Sequence, residues 1–193
     1  VDLSLATDAD ASSAYFNLGK VPFNTSVGGV NLTYTPWLKK IVNDVYLASL
    51  AGYYKLDENS AVSASFRYFS LGNIDLTDAF GNPLKSVNPK EYSFDLGYSR
   101  KLSDKLGLGI GLKYIYSNLA QGVSGYKAGS SVAGDIGLYY NGHDEGGQGW
   151  SFGAAMTNLG AKIGYSNNAD EKDFIPANLG LGTTYTRVFD ESN

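Results

Sequence analysis

Hydrophobic and polar positions alternate with a period of two along most of this chain. In the clearest stretch Leu106, Leu108, Ile110, Leu112, Tyr114 and Tyr116 share one parity, while Gly107, Gly109, Gly111, Lys113 and Ser117 share the other; Ile115 is the exception. The same grammar places Val62, Ala64, Phe66 and Tyr68 against Ser63, Ser65 and Arg67, and Tyr92, Phe94, Leu96 and Tyr98 against Ser93, Asp95, Gly97 and Ser99. Successive side chains of a strand point to opposite faces, so each stretch is a strand with one apolar face and one small or polar face. Eight are expected, over about 28–35, 44–56, 61–72, 91–102, 106–118, 131–141, 150–158 and 177–188. Residues 1–26 do not alternate, and no amphipathic helix is expected after Gly19. Asp8, Asp10, Ser12 and Ser13, followed by Tyr15 and Asn17, read as a compact loop or a short helical turn with Asp10 or Ser12 as its cap.

Which face meets water cannot be told from periodicity, but the links between strands carry that information. Asp57–Ser60 and Ser103–Lys105 are short, whereas the links 73–90, 119–130 and about 161–176 are long; in the orientation this gives, 36–43 is an outer loop and Gly142–Gly149 a third periplasmic turn, longer than the other two. Short turns at one end and long loops at the other are the pattern of outer-membrane barrels, in which the short turns are periplasmic and the long loops extracellular. A soluble sandwich has no reason to alternate this way. The expected fold is therefore all-β: residues 27–193 form antiparallel strands of a transmembrane outer-membrane barrel, preceded by the segment 1–26 on the periplasmic side. The Gly/Ser faces then line the lumen and carry Arg67, Asp95, Lys113 and Asp135 into it. Charges held there are expected to pair with one another or with the N-terminal segment; tuning the selectivity of a pore is the sharper alternative.

Composition narrows the function. Of 193 residues 43% are hydrophobic, yet nothing approaches the ~20 consecutive apolar residues of a membrane helix. The 24 Gly suit close approach of neighbouring strands, and the 15 Tyr suit aromatic girdles. With no Cys there is no thiol nucleophile, disulfide or thiolate metal site. A formal charge of -4 argues against nucleic acid, and the adjacent basic pairs Lys39–Lys40 and Arg100–Lys101 read as polar caps of strand ends. The one histidine, His143, lies in a Gly-flanked turn beside Asp144 and Glu145, a poor place to hold an imidazole against a nucleophile, so no catalytic residue is assigned. Asp8 with Asp10, and Asp170 with Glu171 and Asp173, could offer oxygens to a hard cation, but they lack EF-hand spacing; solvated loop carboxylates are the better reading, and no metal or cofactor is assigned. Trp37 and Leu38 on the first outer loop, Phe80 on the second and Phe174 on the fourth are apolar residues near or above the outer rim, suited either to anchoring in lipid headgroups or to contacting a partner. No initiator Met or basic leader precedes Val1, which reads as a mature or trimmed product or part of a longer chain.

Two resemblances sharpen this. The run Ala6-Thr7-Asp8-Ala9-Asp10-Ala11-Ser12-Ser13-Ala14-Tyr15-Phe16-Asn17 resembles the N-terminal hatch signature of the fatty-acid-transporter (FadL-like) superfamily, with Leu18–Gly19 where that signature has Pro-Ala. More narrowly, Tyr34–Lys40, Ala51–Asp57, Phe66–Gly72, Tyr98–Ser103 and Asp173–Leu179 resemble, in order, the PorV family of the type IX secretion system of Bacteroidetes. That resemblance implies a barrel of about fourteen strands around a hatch, of which this chain carries about eight; an eight-stranded closed barrel is the competing geometry. It also implies the function: docking on the SprA (Sov) translocon barrel, receiving cargo with C-terminal signal domains, and delivering it to the PorU-containing attachment complex amid outer-membrane lipid and lipopolysaccharide, with no covalent chemistry. The wider superfamily implies a rival, a channel for hydrophobic small molecules. An enzyme acting on lipid A is a third class, for which the chain offers no credible His-based site.

Overall fold

The computed structural model describes residues 5–37, 39, 41, 44–119, 123–166 and 171–189. Its elements are α1 (Ser13–Phe16), a 3-10 helix (Leu18–Phe23), β1 (Gly28–Pro36), β2 (Val45–Lys55), β3 (Ser60–Leu71), β4 (Ile74–Thr77), β5 (Pro83–Val87), β6 (Lys90–Lys101), β7 (Leu106–Asn118), β8 (Gly129–Asn141), β9 (Gly149–Gly160), β10 (Lys162–Ile163), β11 (Asp173–Phe174) and β12 (Asn178–Thr186). Eight strands form one antiparallel sheet in the order β1-β2-β3-β6-β7-β8-β9-β12, each beside its neighbour in sequence. The sheet curls into a half-barrel, and among the described residues β1 and β12 do not pair, so it is not the closed eight-stranded barrel. A sheet edge cannot face hydrocarbon with its backbone unsatisfied; both edges therefore need strands to pair with in a bilayer. The two ribbons β4–β5 and β10–β11, which alternation did not reveal, are built inside long links.

Exposure distinguishes a lipid-facing sheet from a soluble one. On the convex face Leu32, Leu112 and Leu181 are 76%, 65% and 74% exposed, whereas Ser63, Ser65, Ser99 and Ser117 on the concave face are buried. Water would make that arrangement unfavourable, at roughly 25 cal/mol per Å2 of apolar surface left uncovered; a lipid environment reverses the sign. Aromatic rings bound this apolar band. Near the long loops the rings of Tyr34 and Tyr46 lie 5.3 Å apart, Tyr46 and Tyr68 5.9 Å, and Tyr92 stacks on Tyr116 at 4.7 Å. Near the short turns Tyr54 and Tyr98 are exposed, and Trp150 packs on Tyr185 at 5.1 Å. Tyr46 and Tyr54 are eight residues apart on one strand, about 27 Å along it and about 20 Å of depth at the tilt usual for such barrels, close to the height of an outer-membrane apolar band.

Candidate functional site

The concave face has two halves. Toward the short turns it is filled by residues 5–24, and the fit is made by glycine. A Cβ on Gly109 would fall on Leu18, one on Gly137 on Asn17 and Leu18, and one on Gly153 on the Leu5 carbonyl; Gly19 in turn lies against the backbones of Gly107, Gly137 and Tyr139. Absence of side chains on both partners lets backbone meet backbone. Asn17, 2% exposed, fastens the segment: its Nδ2 donates to the carbonyls of Leu5 and Leu138, both at 2.9 Å, and its Oδ1 accepts from the Gly19 amide at 3.0 Å. Asp10 caps the turn before α1, accepting from the Ser12 amide (2.9 Å), the Ser12 hydroxyl (2.6 Å) and the Ser13 hydroxyl (3.2 Å), while the Asp10 amide donates back to Ser13 Oγ. Ser13 is buried; Asp8 is largely exposed. Sequence reasoning missed Lys20, 1% exposed with its Nζ donating to Thr7 Oγ1 at 3.1 Å, because a single Lys in a non-alternating run carries no signal of burial.

Toward the long loops the same face is open and charged. Lys113 Nζ lies 2.9 Å from Asp135 Oδ2 and 3.3 Å from Asp95 Oδ1, and donates to Asn158 Oδ1 at 2.9 Å. Asp95 also accepts from the hydroxyls of Ser65 and Ser93, both at 3.2 Å. Asn158 sits where the β8–β9 register slips, so that Thr157 and Asn158 of β9 face Asp135 alone; its φ of 60° is the left-handed conformation that Asn tolerates at a bulge. Asp135 accepts from the bulge amide of Asn158 at 2.8 Å, and Asn158 Nδ2 donates to the Pro176 carbonyl at 3.3 Å, which ties the long link after β9 to the concave face. Nothing in the sequence pattern pointed to Asn158. Arg67 does not join this network: its guanidinium lies 3.7 Å over the Tyr15 ring, at the boundary between the two halves. Above it a cavity of about 400 Å3 is lined by Trp37, Leu47, Phe69, Ile115, Glu91 and Lys113 among others. Ile115, the break in alternation on β7, is thus an apolar residue of the concave face.

Of the rim residues, Trp37 packs edge-on to Phe69 at 6.1 Å over that cavity rather than within the tyrosine girdle. Phe80, at the turn of the β4–β5 ribbon, is 89% exposed, and Phe174 on β11 is 74% exposed under the Lys162 ammonium. Leu38 and Asp170 lie outside the described residues. The ribbon turn is closed by Asp78, whose carboxyl accepts from Asn82 Nδ2 and from the amides of Phe80 and Asn82; the Asn82 bonds hold its carboxyl below the usual carboxylate range.

His143 corrects an expectation. The Gly-flanked turn does hold its imidazole against a hydroxyl: Nε2 is 3.1 Å from Ser151 Oγ, and Nδ1 faces Asp8 Oδ1 at 3.9 Å. The order of groups is that of a nucleophile, base and orienting carboxylate, but the geometry does not perform the chemistry. Ser151 is 1% exposed, its hydroxyl also faces the Tyr139 phenol at 3.5 Å, and Asp8 stands beyond hydrogen-bond reach of the ring. The cluster joins the β8–β9 turn, β9 and the N-terminal segment.

A family model described as "Type IX secretion system protein PorV" matches residues 1–193, the whole chain, which therefore belongs to that family. No curated protein matches the chain.

Proposed function

We propose that this outer-membrane component of the type IX secretion system docks on the SprA (Sov) translocon barrel, takes up cargo bearing C-terminal signal domains and hands it to the PorU-containing attachment complex. The observation that carries this reading is the family match over the whole chain. The design of the fold supports it: a rigid lipid-facing sheet presents ordered ribbons at one rim, and recognition concentrates on loops held by a rigid scaffold. In this reading the N-terminus and short turns are periplasmic, the long loops are extracellular, and the links 73–90 and 119–130 make the partner contacts. Trp37, Phe80 and Phe174 are proposed contacts, with Phe80 the most prominent because its ring stands clear of the ribbon.

The test is purification of the tagged full-length protein from native outer membranes in mild detergent, with mass spectrometry of what accompanies it. A very large translocon barrel and proteins sharing a C-terminal signal domain are the expected companions. Deleting Asp78–Lys85 is expected to abolish cargo release while the barrel still assembles; unchanged release would count against the contact assignment. A barrel emerging with bound lipid and no protein would move the reading to a channel for hydrophobic small molecules, in which the segment around Asp8–Asn17 acts as the gate.

A further inference from the structure

We propose that the cavity above Arg67 binds a small apolar α-amino acid in its zwitterionic form. Such a ligand carries both charges, unlike the hydrophobic small molecules of the channel reading, and its binding does not depend on the secretion reading.

The cavity, of about 400 Å3, is lined by two charged groups of opposite sign, Arg67 and Glu91, that do not pair. In the β3–β6 ladder Arg67 faces Ser93 and Phe69 faces Glu91, so Arg67 and Glu91 are diagonal neighbours on one face of adjacent strands. Long side chains reach each other across that spacing, and opposite charges placed there stabilise a sheet by closing on one another. Neither does so: among the described residues Arg67 and Glu91 form no ion pair. Each is held elsewhere. The Arg67 guanidinium lies 3.7 Å over the Tyr15 ring, and its buried Nε has no hydrogen-bond partner among those residues. Glu91 Oε1 accepts from the Ser117 hydroxyl at 2.6 Å, and Ser117 Oγ accepts in turn from the Tyr165 phenol at 3.0 Å.

The other charges of the cavity are already satisfied. Lys113 lies between Asp95 and Asp135 and donates to Asn158. Asp95 accepts further from Ser65 and Ser93, and Asp135 from the amide of Asn158. What remains uncompensated is one cation and one anion, and a single zwitterion answers both. Stacking on Tyr15 uses the face of the guanidinium plane and leaves the N–H donors at its edge for a carboxylate. Ser117 engages one carboxylate oxygen of Glu91 and leaves Oε2 for an ammonium.

The spacing selects an α-amino acid. Its two charged groups sit on one carbon, a separation that matches diagonal neighbours of adjacent strands better than a long dipole does. The side chain on that carbon then meets the apolar wall of Trp37, Leu47, Phe69 and Ile115. Tyr15 and Ser117 are positioning residues: they keep the two charges from closing on each other and need not touch the ligand.

Calorimetric titration of the purified full-length protein in amphipol tests this with three probes that share a phenyl group. L-Phenylalanine carries both charges, phenethylamine only the ammonium and hydrocinnamate only the carboxylate. Phenylalanine is expected to bind saturably and about tenfold more tightly than either single-charge probe, since each lost contact is a charge-assisted hydrogen bond. Arg67→Gln is expected to bring phenylalanine down to the affinity of phenethylamine while leaving phenethylamine unchanged. Glu91→Gln is expected to bring it down to that of hydrocinnamate while leaving hydrocinnamate unchanged. This crossed pattern is one that general damage to the fold does not produce, and heat-modifiable gel mobility checks that each variant remains an assembled barrel. Hydrocinnamate or phenethylamine binding to the wild type as tightly as phenylalanine would overturn the proposal, as would wild-type phenylalanine affinity in either variant. So would absence of saturable phenylalanine binding at millimolar concentration, which would mean that Arg67 and Glu91 close on one another.

Discussion

The two halves of the concave face treat the same surface in opposite ways. Near the short turns the strands present glycines, and the N-terminal segment lies so close that Leu18 and Asn17 occupy the space a β-carbon would need. Near the long loops the strands present charges and large apolar side chains around an open cavity, with Arg67 on Tyr15 at the border. A face that must accept backbone is stripped of side chains, while a face left open must neutralise its own charges. Specificity in the first half is steric and in the second electrostatic, so the two should fail under different substitutions.

The largest effect is expected in the open half. Lys113→Ala leaves Asp95 and Asp135 facing each other without a cation and removes the donor to Asn158. Breaking a buried pair from one side costs about 3–5 kcal/mol, and the modest exposure of these side chains places the loss toward the lower figure. Urea unfolding followed by heat-modifiable mobility measures it. Changing both carboxylates to Asn together with Lys113→Met is expected to restore most of the stability, because nothing charged is then left unpaired. If the single and triple variants are equally unstable, the open half is held by packing and the contrast with the other half fails.

Gly137→Val is the corresponding change in the filled half, and its effect is smaller and more local. The added methyls meet Asn17 and the amides of Leu18 and Gly19, an overpacking that costs about 1–3 kcal/mol. The strand itself tolerates valine well, so the strain is expected to be relieved by expelling residues 5–24 rather than by opening the sheet. Limited proteolysis would then cut the N-terminal segment in the variant while the sheet remains protected. Coordinated loss of both would show that the segment and sheet form a single cooperative unit.

The sequence made one half more legible than the other. Period-two alternation located all eight strands to within about two residues, because a sheet with one small face and one apolar face repeats the same instruction at every second position. It also marked the glycine stripe on β7, although not its purpose, since the partner of a glycine is invisible until the chain folds back on it. The lumenal charges were legible as a set; which of them pair was not. Arg67 and Lys113 have the same parity and similar chemistry, yet Lys113 has Asp95 and Asp135 as neighbours on β6 and β8 while Arg67 meets an aromatic ring from the N-terminal segment. Strand register and segment docking decide that difference, and neither is written in the spacing of one strand. The ribbons β4–β5 and β10–β11 escaped notice because strands of two to five residues are too short to establish a period.

The smallest effect is a test of what makes the filled half tight. Asp57 closes the β2–β3 turn beside it: its carboxyl bonds the Ser60 hydroxyl and accepts from the amides of Asn59 and Ser60 at 2.7 Å each. Those bonds, led by the Ser60 hydroxyl, hold its folded-state pKa below the ordinary value. A depressed carboxylate contributes stability that is present above the unfolded pKa and is lost as pH falls through the folded one. The turn should therefore be intact at neutral pH and loosen only in acid below the usual carboxylate range. Asp10, whose carboxyl is also lowered by Ser12, Lys20 and Ser13 against the opposing effect of its burial, releases the turn at 10–13 under similar conditions. Gly19 is different: its amide is held by the neutral Asn17 side chain, and its surroundings are backbone and glycine. Hydrogen-exchange protection factors are therefore expected to fall at Asn59 and Ser60 on acidification and to remain unchanged at Gly19. Parallel loss at Gly19 would mean that the turns, rather than the steric seat on the glycines, hold the segment in place.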